Sequence, residues 1–333
     1  MKILKKFLSR TERAGEARKQ ELQKESTLIQ AMDRVVTTIA PAICSLRECR
    51  RQLRSPVENA LVYLQNTIDT IPGPLPLSPQ AWDQHPLLQA LFTDAGEIRT
   101  LLWADRRLRS FFTRHPASQA CALLTATRRE RTIFGTAVEG EIVRRDVAQT
   151  AVDFRDHRLL DPAATLAETR HELQMRALTA LVTPVVERAL RMRSLQDELR
   201  EQQRILSVQL KIRRTRPDLC GRQSPEEAEN GSSGNGTPRI LEDIDREIRE
   251  LSAATSPPEE VMRQVAEVLT TPQAALTVTP VAMRLNWMGV KQCRSSSDCD
   301  LDVRLIEVEL KDHWRRTAVF VSIDRDDASR PLI

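Results

Sequence analysis

The chain has 333 residues, of which 41% are hydrophobic and 4% aromatic, enough for a core built mainly from aliphatic side chains. The formal net charge of +4 is small for this length and excludes the strongly basic composition of a general nucleic-acid-binding protein. Charged residues make up 29%, and with few aromatics and only 10 glycines this composition indicates long, solvated helices.

The N-terminal segment is basic, with Lys5, Lys6 and Arg10 beside a short apolar face. Because these charges interrupt the apolar run, the segment lacks the length of a secretory signal, and no window approaches the roughly 18 apolar residues of a membrane span. We therefore expect a cytoplasmic protein, with membrane contact at most peripheral through residues 1–10. The six cysteines show no CxxC spacing, so we expect reduced thiols and no metal site.

Two seven-residue apolar repeats predict long helices, each with a narrow seam that faces another helix. The first repeat begins at Leu22, and the second lies in the longest helical pattern, from about residue 163 to residue 216. The two arms together predict an antiparallel helical hairpin or a coiled coil, formed within one chain or between two. The predicted interaction seam consists of Leu22, Ile29, Val36, Ile43, Val57, Leu64, Leu178, Val185, Met192, Leu199 and Leu206.

The stretch TIFGTAVEGEIVRRDVAQTAVDF, residues 132–154, lies between these arms and is rich in β-branched residues. As a helix it would hold two interior glycines, each costing about 1 kcal/mol. As two strands it can use Gly140 for the positive φ of a tight connection. We therefore predict a strand pair here, preceded by short helices, the last of them over Cys121–Leu124.

The stretch 217–238 is rich in Gly, Ser, Pro, Asn and Glu and predicts a flexible linker. Beyond it, two short amphipathic helices precede three runs of alternating apolar and polar residues, which predict a three-stranded antiparallel meander. The predicted domains are a helical region, 1–216, with a strand pair inserted near 132–154, and a small α+β domain, 239–333. The expected fold class is mainly α with a smaller α+β part, in which the C-terminal meander packs with the two short helices.

Known catalytic motifs are missing from the sequence: no phosphate-binding glycine pattern, HExxH, GxSxG or EF-hand loop occurs. The best enzymatic candidate is RRDVAQTAVDFRDHR, where Asp156 and His157 could serve acid–base chemistry or bind a metal. Neighbouring residues of a strand face opposite sides, however, which favours solvated charge over a catalytic pair. We expect no cofactor and no bound metal.

These patterns predict a non-catalytic cytoplasmic interaction or scaffold protein that binds a protein partner, or itself, through coiled-coil-like arms. One alternative is an enzyme or metal-binding protein that uses the segment from Asp146 to His157. Another is a peripheral nucleic-acid or membrane-surface binder that uses basic clusters such as residues 211–216. Nucleic acid is the less expected partner, because that cluster closes a predicted helix, where cations complement the helix dipole.

Overall fold

A computed structural model describes residues 2–39, 46–139, 142–215, 236–254, 257–292 and 301–329. Its α-helices are α1 (Lys2–Ile39), α2 (Leu46–Asp69), α3 (Pro86–Leu91), α4 (Ala95–Ala104), α5 (Arg106–Arg114), α6 (Leu166–Thr215), α7 (Gly236–Ala254), α8 (Pro258–Thr270) and α9 (Arg325–Ser329). Its strands are β1 (Leu75–Pro76), β2 (Gln119–Glu139), β3 (Ile142–Ala163), β4 (Leu276–Leu285), β5 (Leu301–Leu310) and β6 (Trp314–Asp324). Among the helices of these ranges, none combines the length and the hydropathy of a membrane span.

The strands form one six-stranded sheet with the order β3-β2-β6-β5-β4, and β1 pairs in parallel with β6. The predicted strand pair is confirmed as β2 and β3, and the predicted C-terminal meander is confirmed as β4, β5 and β6. The predicted fold class is nevertheless wrong, because β2 pairs with β6 from Gln119↔Asp324 to Ala126↔Thr317. The hairpin and the meander therefore share one sheet, and the helix predicted over Cys121–Leu124 is part of β2.

The turn after β4 joins the two outer strands of the sheet. Lys291 forms a bridge with Leu285 of β4, and Val290 forms one with Ala151 of β3. The Lys291 amide donates to the Thr150 carbonyl at 2.8 Å, and the Val152 amide donates to the Gly289 carbonyl at 2.8 Å. The sheet consequently closes on itself, which pairs backbone groups that an open edge would leave free.

The inner face of the closed sheet packs against α3, α4, α5 and α9. Alternate residues of β2, Ala120, Ala122, Leu124 and Ala126, face this core, as the period of two in a strand requires. The small side chains leave room for the larger apolar residues of the helices. The largest helical contributors to this core are Leu88, Phe92, Ile98, Leu102, Leu108, Phe111 and Phe112.

The outer face of the sheet packs against the end of α2 and the start of α6. Ile68 and Leu173 meet Leu123, Ile306 and Phe320 there in a second core. The prediction of a helical hairpin or coiled coil is corrected by this contact, because the helical arms end on the sheet. The helical residues of this second core, Ile68 and Leu173, are not members of the predicted seam.

The chain forms two compact units. One combines residues 1–34, 54–181 and 268–333, and the other combines residues 35–53 and 182–267. The strands of the first unit come from both sides of the predicted linker. Residues 216–235 lie outside the described residues, and the last three positions of that linker belong to α7.

The second unit holds α7 against α6. Gln196 donates a hydrogen bond to the Ser252 hydroxyl at 2.6 Å, and Gln203 donates one to Asp245. Cys49 in this unit forms a disulfide. Cys121 is a free thiol. The expectation of reduced thiols is therefore wrong for Cys49.

Candidate functional site

The candidate catalytic residue Asp156 lies in a β-bulge. The register between β2 and β3 shifts at three places, and at each place β3 contributes one residue more than β2. Asp146, Asp156 and Asp161 lie at these places, with φ of 58°, 62° and 52°. Aspartate tolerates left-handed backbone better than most L-residues, so bulge geometry accounts for its choice at all three positions.

His157 is a packing residue at the edge of the inner core. Its ring stacks on that of Phe92, with the centroids 4.3 Å apart. Burial lowers the pKa of His157, although a hydrogen bond with the Leu91 backbone and the charge of Glu97 partly oppose this effect. Nε2 is buried and has no hydrogen-bond partner within the described part of the chain. The imidazole is therefore held in its neutral form.

The Asp156 carboxylate points to different surroundings. Its side chain is 58% exposed and lies 3.4 Å from Arg158 and 3.8 Å from Arg316. Arg316 also donates a hydrogen bond to the Asp156 carbonyl, and burial lowers the pKa of this arginine. Within the described part of the chain, the hydrogen bonds and ion pairs of Asp156 join it to arginines, and none joins its carboxylate to the imidazole of His157.

Asp146 does not reach this pair. Ten residues of β3 separate its bulge from that of Asp156, which corresponds to about 33 Å along an extended strand. In the ranges that the structure describes, no three His, Cys, Asp or Glu side chains are grouped for a metal ion. In this geometry, the β-bulges of the Asp146–His157 segment bend the sheet, and His157 packs at the edge of the inner core.

A network of ion pairs lies where β2, β5 and β6 meet, and sequence reasoning did not predict it. Glu307 is 5% exposed and binds Arg128 at 3.1 Å and Arg315 at 3.2 Å. Glu130 binds Arg128 at 2.9 Å and Lys291 at 2.8 Å, and the hydrogen bond from Lys291 lowers the pKa of Glu130. Each charge of this group has an opposite partner, so the group joins strands and leaves no free charge for a ligand.

The residues of the predicted interaction seam differ in their exposure. Val36, Val57, Leu64, Leu178 and Leu199 are buried, and Val185, Met192 and Leu206 are half-buried. Leu22 and Ile29 are 65% and 53% exposed, and Ile43 lies outside the described residues. Most of the seam is thus already covered by the chain itself.

A different stripe of α6 is open to solvent. Ile205, Val208 and Ile212 are 48%, 47% and 51% exposed. At about 100° per residue these positions fall within roughly 60° of one another, on a different face from the half-buried Leu206. A heptad pattern built on Leu199 and Leu206 does not predict this stripe. The i, i+3, i+7 spacing of Ile205, Val208 and Ile212 does predict it.

Charged residues flank this exposed stripe. Arg204 binds Glu201 at 2.9 Å and Arg200 binds Asp197 at 3.4 Å, each one turn apart on α6. Beyond Val208 the sequence continues as QLKIRRTR at 209–216, which contains four basic residues and no acidic one.

Comparisons with known proteins leave the site to be judged on this geometry. No protein-family model, no curated protein and no solved structure matches this chain.

Proposed function

We propose that this chain is a non-catalytic interaction protein that binds an amphipathic helix of a protein partner on the exposed stripe of α6. The observation that carries the proposal is the exposure of Ile205, Val208 and Ile212 on one helical face. Three aliphatic side chains at this spacing match the way in which one helix packs against another. Because each side chain is already about half covered, burying the rest on binding is worth about 1 kcal/mol per residue before the costs of association.

A partner of different sequence fits this face better than a second copy of the chain. In a parallel pair of copies, the basic sequence KIRRT at 211–215 would repeat side by side. This arrangement brings like charges together, which is destabilising. The favoured occupant is a helix with an apolar stripe and acidic flanks.

The test uses a stripe variant and a matched control on the full chain. We expect Ile205→Glu with Val208→Glu to abolish recovery of a stoichiometric partner, because charges would enter the apolar contact. Val62→Glu on α2 is the control, since Val62 is 63% exposed and belongs to a different helix from the stripe. Support requires that the recovered protein, once purified, binds wild-type chain and Val62→Glu but not the stripe variant, and that it contains a helix with acidic flanks.

Two outcomes would contradict the proposal. Equal recovery by the stripe variant and the control would remove the stripe as the binding face. Light scattering that shows a wild-type dimer, converted to monomer in the stripe variant, would identify self-association instead. Thermal melting followed by circular dichroism checks that all variants are folded.

The cytoplasmic location stays a prediction, and Cys49 bears on it. Disulfides persist mainly in oxidising compartments, whereas cytosolic thiols are kept reduced. The disulfide of Cys49 therefore counts against the cytoplasm. Acid quenching of intact cells, followed by alkylation of the unfolded protein, tests the location, because Cys49 is only 2% exposed and a reduced Cys49 is labelled only once the chain is unfolded.

A further inference from the structure

A cleft lies between α5, the end of β3 and the start of α6, and it shares no residue with the exposed stripe. Its volume is about 630 Å³, within the range of small-molecule sites. The residues that line it are Arg106, Arg107, Ser110, Phe111, Arg114, His115, Asp161, Pro162 and Glu172.

The acidic residues of the cleft are already neutralised. Asp161 forms two hydrogen bonds with Arg176, one of them 2.7 Å long, and its side chain is only 10% exposed. Glu172 binds Arg34 at 3.2 Å. Neither Arg176 nor Arg34 lines the cleft, so the cleft keeps the charge of its own arginines.

The arginines of α5 supply three positive charges to the cleft. Arg114 donates to the Ser110 hydroxyl at 2.7 Å, which orients the guanidinium without neutralising it. Arg106 and Arg107 are exposed and form no ion pair within the described ranges. Both lie in the first turn of α5, where the helix dipole disfavours cations. Their position therefore costs helix stability, which only the cap at Asp105 offsets.

An aromatic wall completes the cleft. The rings of Phe111 and His115 stack with their centroids 4.9 Å apart and an interplanar angle of 23°. Phe111 is buried, whereas His115 is exposed and presents its outer face. A planar group can stack on that face while an anionic group meets the arginines.

We propose that this cleft binds a small phosphate ester that carries a planar ring, such as a nucleotide. The phosphate is held by Arg106 and Arg107, and the ring stacks on His115. Guanidinium groups match phosphate oxygens in geometry as well as in charge, which makes arginine the usual residue for this recognition. The site uses none of the residues of the α6 stripe, so the two proposals stand or fall separately.

The experiment is calorimetric titration of the full chain with AMP, with ribose 5-phosphate and with inorganic phosphate. We expect AMP to bind more tightly than ribose 5-phosphate, because only AMP carries the ring. Arg106→Gln and Arg107→Gln are each expected to weaken AMP binding about tenfold, as for the loss of one charge-assisted hydrogen bond. Arg99→Gln on α4 removes the same charge from an exposed position outside the cleft and is expected to leave binding unchanged.

Three results would overturn the proposal. The first is no binding of AMP by the wild-type chain. The second is equal weakening by Arg99→Gln, which would show a general effect of charge. The third is tighter binding of a single-stranded oligonucleotide than of AMP, which would identify a nucleic-acid surface. Melting temperatures of the variants show whether each one is folded.

Discussion

The guanidinium of Arg128 and the carboxylate of Glu307 form two hydrogen bonds, 3.2 Å from Nε to Oε1 and 3.1 Å from Nη2 to Oε2. Arg128 belongs to the hairpin and Glu307 to the meander, so the pair joins the two halves of the sheet. Their side chains are 16% and 6% exposed. Removing Arg128 would leave Glu307 with Arg315 as its partner, and removing Glu307 would leave Arg128 with Glu130.

This relationship predicts strong non-additivity. We expect Arg128→Met and Glu307→Leu each to lower the free energy of unfolding by about 1.5–3 kcal/mol, because each removes two charge-assisted hydrogen bonds while the remaining charge keeps its other partner. The double variant is expected to lose less than the sum. Urea denaturation of the four proteins measures this coupling. The exposed pair Arg200 and Asp197 is the control, where Arg200→Met is expected to cost about 0.5 kcal/mol or less. Additive losses at Arg128 and Glu307 would contradict the prediction.

Gly73 is expected to be intolerant of any side chain. Its φ is +116°, and a Cβ there would lie 2.3 Å from the carbonyl oxygen of Phe320 on β6. We expect Gly73→Ala to cost about 2–5 kcal/mol, because both backbone strain and a clash with a β-strand are imposed. Gly135→Ala is the matched control, since its Cβ would meet only the flexible end of Gln149. Similar denaturation midpoints for both variants would show that β6 moves to accommodate the methyl group.

His157 predicts a loss of stability in mild acid. Because burial lowers the pKa of His157, the unfolded chain takes up the proton first as the pH falls below the ordinary histidine value of about 6.5. The contribution of His157 is thus present above that pH and is lost as the pH falls through the folded-state pKa. We expect His157→Phe, which keeps the stack on Phe92, to lose less stability than wild type between pH 7.5 and pH 5.5.

Urea denaturation at the two pH values measures this difference. His313→Ala, at the exposed turn between β5 and β6, controls for the loss of a histidine. An identical pH dependence in wild type and His157→Phe would show that burial of this imidazole does not limit stability.

The aspartates in the three β-bulges show what the local sequence indicates about the backbone and what only the tertiary structure decides. Asp146, Asp156 and Asp161 stand in a strand, where aspartate is disfavoured, and this was the signal for irregular backbone. The sequence also makes Asp146 and Asp156 candidates for catalytic chemistry, although it favours solvated charge at these positions. Only the register of β3 against β2 distinguishes a bulge from a catalytic group, because a bulge is defined by the partner strand.

The hairpin, the meander and the long helix α6 were predictable from sequence, because periods of 2 and 3.6 express which side of an element is buried. Those periods do not say what covers the buried side. Three features depend on residues that lie far apart in the chain: the pairing of Gln119 with Asp324, the contact of α2 and α6 with the sheet, and the arginine cleft beside α5. The tertiary structure alone decided them, since an apolar stripe or a strand edge accepts many partners, and the choice among them rests on the packing of the whole molecule.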